Sequence, residues 1–119
     1  MENNELKKIA SLIRFDWQIN HRDEDEVRYY AGVCGYCFET AEQFIFDMYL
    51  ENFSEKGKPT HRWSSLVDSV MLTNGYQMNT IYDMTELDYQ LIWGYINRDI
   101  DDKVEENIRV DAIGLAMIK

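Results

Sequence analysis

The chain of 119 residues carries 22 acidic and 12 basic side chains, a net charge of −10, with 45% hydrophobic residues and a single proline. That size fits one domain able to bury a core without disulfides or metals, and the hydrophobic content excludes a disordered chain. No run approaches the length of an apolar membrane span, and a surplus of carboxylates excludes an electrostatic grip on phosphate backbones.

The opening MENNELKKIASLIRF is amphipathic and charged, unlike a secretory leader with its short apolar block and small-residue cleavage site. A cytoplasmic setting is the expectation, with Cys34 and Cys37 as reduced thiols. Leu6, Ile9, Ala10, Ile13 and Trp17 recur at helical spacing and predict a first helix over about residues 4–19, with Asn3 or Asn4 as its cap and Asn20 as its stop. Asp23, Glu24, Asp25 and Glu26 then suit the positive end of a second helix. Residues 27–38 are rich in β-branched and aromatic side chains, which permits a strand. A helix with close packing at Gly32 and Gly35 is the preferred reading.

Thr40 to Gln43 fits a capping box opening a helix over about 40–55. Its apolar stripe would be Ala41, Phe44, Ile45, Met48 and Tyr49, with Gly57 in the left-handed stop position and Pro59 beyond it. Trp63, Leu66, Val67, Val70 and Met71 predict a helix over about 62–73, ended by Asn74-Gly75. Residues 76–84 fit a short helix or an irregular connection. Thr85 caps a further helix carried by Leu87, Leu91, Ile92, Tyr95 and Ile96 to about Arg98. A last helix starts near Asp102, although residues 107–118 alternate enough for a strand. The fold class is therefore mainly α: residues 1–119 as a single compact acidic domain of about five or six helices, with room for a minor short β element.

Several motifs invite chemistry and fall short of it. Cys34-x-x-Cys37 supplies two thiols, but a structural zinc needs four ligands, and His21 and His61 are far apart in sequence. No strand precedes the pair as in a thioredoxin-like unit, so buried, inert thiols are expected and no metal or cofactor is assigned. Asp99, Asp101 and Asp102 resemble the start of a calcium loop, which then fails with Val104 where glycine is needed and Val110 where glutamate is needed. Arg14 and His21, separated by six residues, resemble the Arg–His pair of HEPN-type RNA-cleaving domains, but Phe15 stands where a polar residue is expected. No catalytic residue emerges, and the chain is read as non-enzymatic.

The acidity is uneven. Residues 23–55 hold nine acidic groups against Arg28 alone, and residues 86–102 form a second acidic block, whereas residues 103–119 balance to zero. Asp47, Glu51 and Glu55 stack at i, i+4 and i+8 on the expected helix, at a spacing of roughly 6 Å. Like charges so placed destabilise a helix, which favours a partner-facing role over mere solubility. The candidate partner-binding residues are Asp23, Glu24, Asp25, Glu26, Glu42, Asp47, Glu51, Glu55, Asp99, Asp101 and Asp102.

The expected function is an inhibitor that docks an acidic face on a basic, nucleic-acid-binding protein as a DNA or RNA mimic. In size, charge and helicity alone the chain is similar to small anti-restriction and anti-CRISPR proteins of phages and mobile elements. The alternative is a helical adaptor or oligomerisation module, with a homodimer within range, that associates through an exposed aromatic such as Trp93. A small zinc-binding or HEPN-like helical protein ranks below both.

Overall fold

The computed structural model describes residues 1–98. The expected last helix, its alternative strand at residues 107–118, and Asp99, Asp101 and Asp102 lie outside the described residues. Six helices and one two-stranded antiparallel ribbon follow in the order α1 (Asn3–Asn20), α2 (Glu24–Cys34), α3 (Phe38–Glu51), β1 (Ser54–Glu55), β2 (Lys58–Pro59), α4 (His61–Thr73), α5 (Met78–Tyr82) and α6 (Glu86–Arg98).

Helix α1 buries the five residues that its sequence period selects, Leu6, Ile9, Ala10, Ile13 and Trp17. It packs against α4 and α6. Its cap differs from the expectation: Asn3 is already helical, and the cap is Glu2, whose side chain makes no capping bond. The backbone carbonyl of Glu2 accepts from the amides of Glu5 and Leu6 instead, at 3.1 Å each.

Helix α2 starts as its acids require. The Asp23 carboxylate accepts from the amides of Asp25 at 2.9 Å and Glu26 at 3.5 Å, satisfying two of the free donors of the first turn. Gly35, at φ +70°, supplies the left-handed residue that ends the helix. The expected close packing at the glycines is absent, because a Cβ built on Gly32 or Gly35 would meet nothing within 4 Å. Gly32 is simply an exposed helical residue.

Helix α3 departs most from its sequence reading. It begins at Phe38 with Cys37 as cap, so Thr40 lies inside the first turn and no Thr40–Gln43 capping box forms. Its buried face is Ala41, Ile45, Phe46 and Leu50, whereas Phe44 and Met48 are exposed. Trp17 decides that rotation: its ring lies 4.8 Å from the Phe46 ring, and burying two such aromatics outweighs burying Met48. The helix also stops at Glu51, four residues early. The Asn52 side chain donates to the carbonyl of Tyr49 at 3.1 Å, its own amide to the same carbonyl at 3.2 Å, and the Phe53 amide to Leu50 at 2.9 Å. A short amide side chain that takes the last carbonyls competes with helix continuation.

The chain then reverses in the β1–β2 ribbon, with Ser54 opposite Pro59 and Glu55 opposite Lys58. Lys56 at φ 55° and Gly57 at φ 78° form its two-residue connection. Positive φ at both central residues matches the twist of a tight hairpin. Gly57 therefore serves a hairpin and not a helix end. Glu55 is strand, which removes it from the helical row with Asp47 and Glu51.

Helix α4 is capped by Thr60, whose hydroxyl accepts from the Arg62 amide at 3.2 Å. Thr85 and Asp88 cap α6 reciprocally, the Thr85 amide donating to Asp88 at 3.0 Å and the Asp88 amide to the Thr85 hydroxyl at 3.2 Å. Trp63 and Trp93 meet edge to face at 4.9 Å between α4 and α6. The Trp63 indole donates to the carbonyl of Tyr89 at 2.9 Å. Trp93 is thus a core residue, 5% exposed, and the expectation that it is an exposed aromatic is corrected. Its size makes it worth most between two helices, where it removes the largest apolar area from water.

Candidate docking surface

Of the longer helices, α2 has the least buried. Of the eleven residues of α2, Val27 alone is buried. The helix leans on α3 through Tyr30, whose ring is 5.8 Å from that of Phe44. Tyr29 and Val33 face outward and are each 65% exposed. They lie four residues apart, and Tyr29 lies four after Asp25 and three after Glu26, so all four share one helix face. That stripe reads acid, acid, aromatic, aliphatic along the axis.

On α3 a shallow groove of about 460 Å³ runs past Tyr36, Glu39, Thr40, Gln43, Phe44 and Asp47. Tyr36 and Phe44 supply half-exposed aromatic faces. Glu39 and Asp47 stand eight residues apart, about 12 Å along the helix axis, and bracket those faces with carboxylates. Asp47 accepts from the Gln43 side chain at 2.8 Å, which orients its carboxylate without neutralising it. A cationic side chain can lie over an aromatic ring and reach such a carboxylate at the same time.

Besides Asp47, the sequence-selected acids among the described residues fall in different settings. Asp25 and Glu26 are exposed and make no ion pair among the described residues, and the same holds for Glu51. Asp23 is committed to its cap, and Glu24 pairs with Arg28 at 3.4 Å on the surface, where such a pair contributes little. Glu42 belongs to the interior architecture: it pairs with Arg22 at 2.9 Å and Arg14 at 3.8 Å. Glu55 stands on the ribbon, away from the helix row. Glu39, Tyr29, Val33, Tyr36 and Phe44 were missed as surface residues. Glu39 lies within the acidic block of residues 23–55 but off the i, i+4, i+8 row that was selected, and the period of residues 27–38 did not specify which face was free.

Both cysteines are free and exposed, which corrects the expectation that they are buried. The reason is local: Cys34 ends α2, Cys37 caps α3, and the hinge between them is in solvent. The described residues hold no cluster of three or more His, Cys, Asp or Glu side chains able to grip a metal ion. Arg14 and His21 have different partners. Arg14 lies over the Phe46 ring and donates to Gln43 at 2.9 Å, whereas His21 faces Asp16 at 3.6 Å and the Tyr49 ring.

Among the described residues, no helix is long and apolar enough to cross a membrane. Compared with protein-family models, with curated proteins and with solved structures, the chain gives no match.

Proposed function

We propose that the protein is a non-enzymatic binding protein that docks its α2–α3 hairpin on a basic protein surface of the kind that otherwise holds nucleic acid. The observation that carries this reading is α2 itself. It buries one residue and turns Tyr29 and Val33 outward beside the unpaired acids Asp25 and Glu26. A protein interface combines aromatic anchors at its centre with charged groups at its rim, and this hairpin has both. Lysine and arginine side chains of the partner would enter the α3 groove between Glu39 and Asp47. The narrower picture of a carboxylate ladder tracking a DNA strand keeps only Asp47 and Glu51 on one helix. The proposal therefore rests on a mixed acidic and aromatic face more than on strict mimicry.

Competition tests it. The full chain is added to complexes between duplex DNA and purified lysine- and arginine-rich DNA-binding proteins. Release of DNA that weakens steeply as salt rises supports the reading. If no such protein releases DNA, and none is retained by the immobilised chain at low salt, the reading is wrong.

A further inference from the structure

The CxxC pair remains unused by the docking reading, and its placement is specific. Cys37 caps the fourteen-residue helix α3, so its sulfur lies at the positive end of that helix. Its Sγ is 3.0 Å from the Thr40 hydroxyl. The bond to that hydroxyl is the main influence holding the Cys37 thiol below its usual range, against opposing pushes from desolvation and then the Glu39 charge. Exposure and a stabilised thiolate are the two properties that make a thiol reactive. Cys34, also exposed, is three residues upstream as the last residue of α2. Between them lie Gly35, left-handed and uncrowded, and the half-exposed Tyr36. A hinge with nothing packed against its glycine can re-form around a covalent bridge.

We propose that Cys37 and Cys34 are a thiol–disulfide exchange pair at the hinge of the docking hairpin, with Cys37 as the attacking thiol and Cys34 as the resolving one. The oxidant is a low-molecular-weight disulfide of the glutathione type. The Cys37 thiolate attacks one sulfur of that disulfide. A Cys37 mixed disulfide forms, the small disulfide bond breaks, and one small thiolate leaves with the electron pair and takes up a proton. Cys34 then loses its proton and its thiolate attacks Cys37 Sγ, which expels the second small thiol. The protein gains one S–S bond and loses two hydrogens, and one small disulfide becomes two small thiols. A disulfide holds its Cα atoms about 4.4–6.8 Å apart. Closing it therefore fixes the end of α2 against the start of α3 and resets Tyr36 at the head of the α3 groove.

The chemistry is read without any partner. The full chain is equilibrated with reduced and oxidised glutathione, quenched in acid, alkylated and weighed by intact-mass spectrometry. The wild type is expected to lose two hydrogens, Cys34→Ser to accumulate a mixed disulfide at Cys37, and Cys37→Ser to react several-fold more slowly. Thr40→Ala should slow the attack in the same direction. Persistent mixed disulfides on both cysteines of the wild type, or equal reactivity of the two single variants, would overturn the assignment. The regulatory consequence rests on the docking reading and is measured separately, as binding of a fluorescent arginine-rich peptide to reduced and bridged chain. A several-fold difference supports control of the hairpin, and equal affinities refute it. Failure of the peptide to bind either form refutes the docking reading and leaves the mass result standing.

Discussion

Arg22 and Glu42 form a 2.9 Å ion pair that ties the chain following α1 to the outer turn of α3. Both side chains are about four-fifths buried, and Arg22 also lies over the Phe38 ring at 5.4 Å. The pair anchors a hairpin whose second helix reaches the core through Phe46 and whose first helix barely reaches it at all. It also takes one of the carboxylates selected by charge out of the surface.

Glu42→Gln should therefore act on stability and not on binding. A loss of about 1–2 kcal/mol is expected for a partly buried charged hydrogen bond. Urea unfolding measures it, and a double-mutant cycle with Arg22→Ala isolates the coupling. Affinity for a basic peptide should stay within experimental scatter.

Trp93→Ala should unfold or strongly destabilise the protein, by roughly 3–5 kcal/mol, because it empties one half of the Trp63–Trp93 contact. Thermal unfolding followed by near-UV circular dichroism reports it. Tyr29→Ala, by contrast, should leave the melting temperature nearly unchanged and weaken partner binding, since that ring is mostly in solvent already.

Asp23→Ala removes the α2 cap and should cost about 1 kcal/mol. Because α2 has so little burial to hold it, the cost should appear as local opening. Amide hydrogen exchange would show faster exchange confined to residues 24–34.

Two buried-side tyrosines predict an alkaline limit. Burial and the hydrogen bond to Glu5 push Tyr76 up to about 12, and burial and the 2.5 Å bond to Asp68 push Tyr89 higher still. Both folded values lie above the unfolded value, so their stabilisation is complete below about pH 10 and is lost as pH rises through the folded values. Unfolding free energy should fall above about pH 10, and Tyr76→Phe should flatten that fall between about pH 10 and 12. A profile identical to wild type would contradict the assignment.

Much of the fold was legible because local rules agreed. The apolar period of α1, the acidic start of α2, the Thr85 cap and the Asn74-Gly75 stop each depend on near neighbours in the chain. Helix α3 was not legible in the same way. Phe38, Ala41, Phe44, Ile45, Phe46, Met48, Tyr49 and Leu50 place apolar groups around most of its circumference, so periodicity leaves its buried face open. Trp17, nearly thirty residues earlier, makes the choice. The Arg22–Glu42 and Arg14–Gln43 contacts are likewise tertiary, and they determine which acids remain free. The acidic blocks were visible as charge, but only the packing of α2 reveals that the face Asp25 and Glu26 share with Tyr29 and Val33 is the one left in solvent.

The central claim is that the hairpin, through its free carboxylates and exposed rings, is the docking face. The most direct measurement is the affinity of an arginine-rich peptide for the reduced wild type and for the double variant Glu39→Lys, Asp47→Lys, at low and moderate salt. Both positions are solvent-accessible, so the variant should fold normally by circular dichroism. A loss of about tenfold or more in affinity is expected, with a shallower salt dependence. Unchanged affinity and salt dependence in a folded double variant would contradict it.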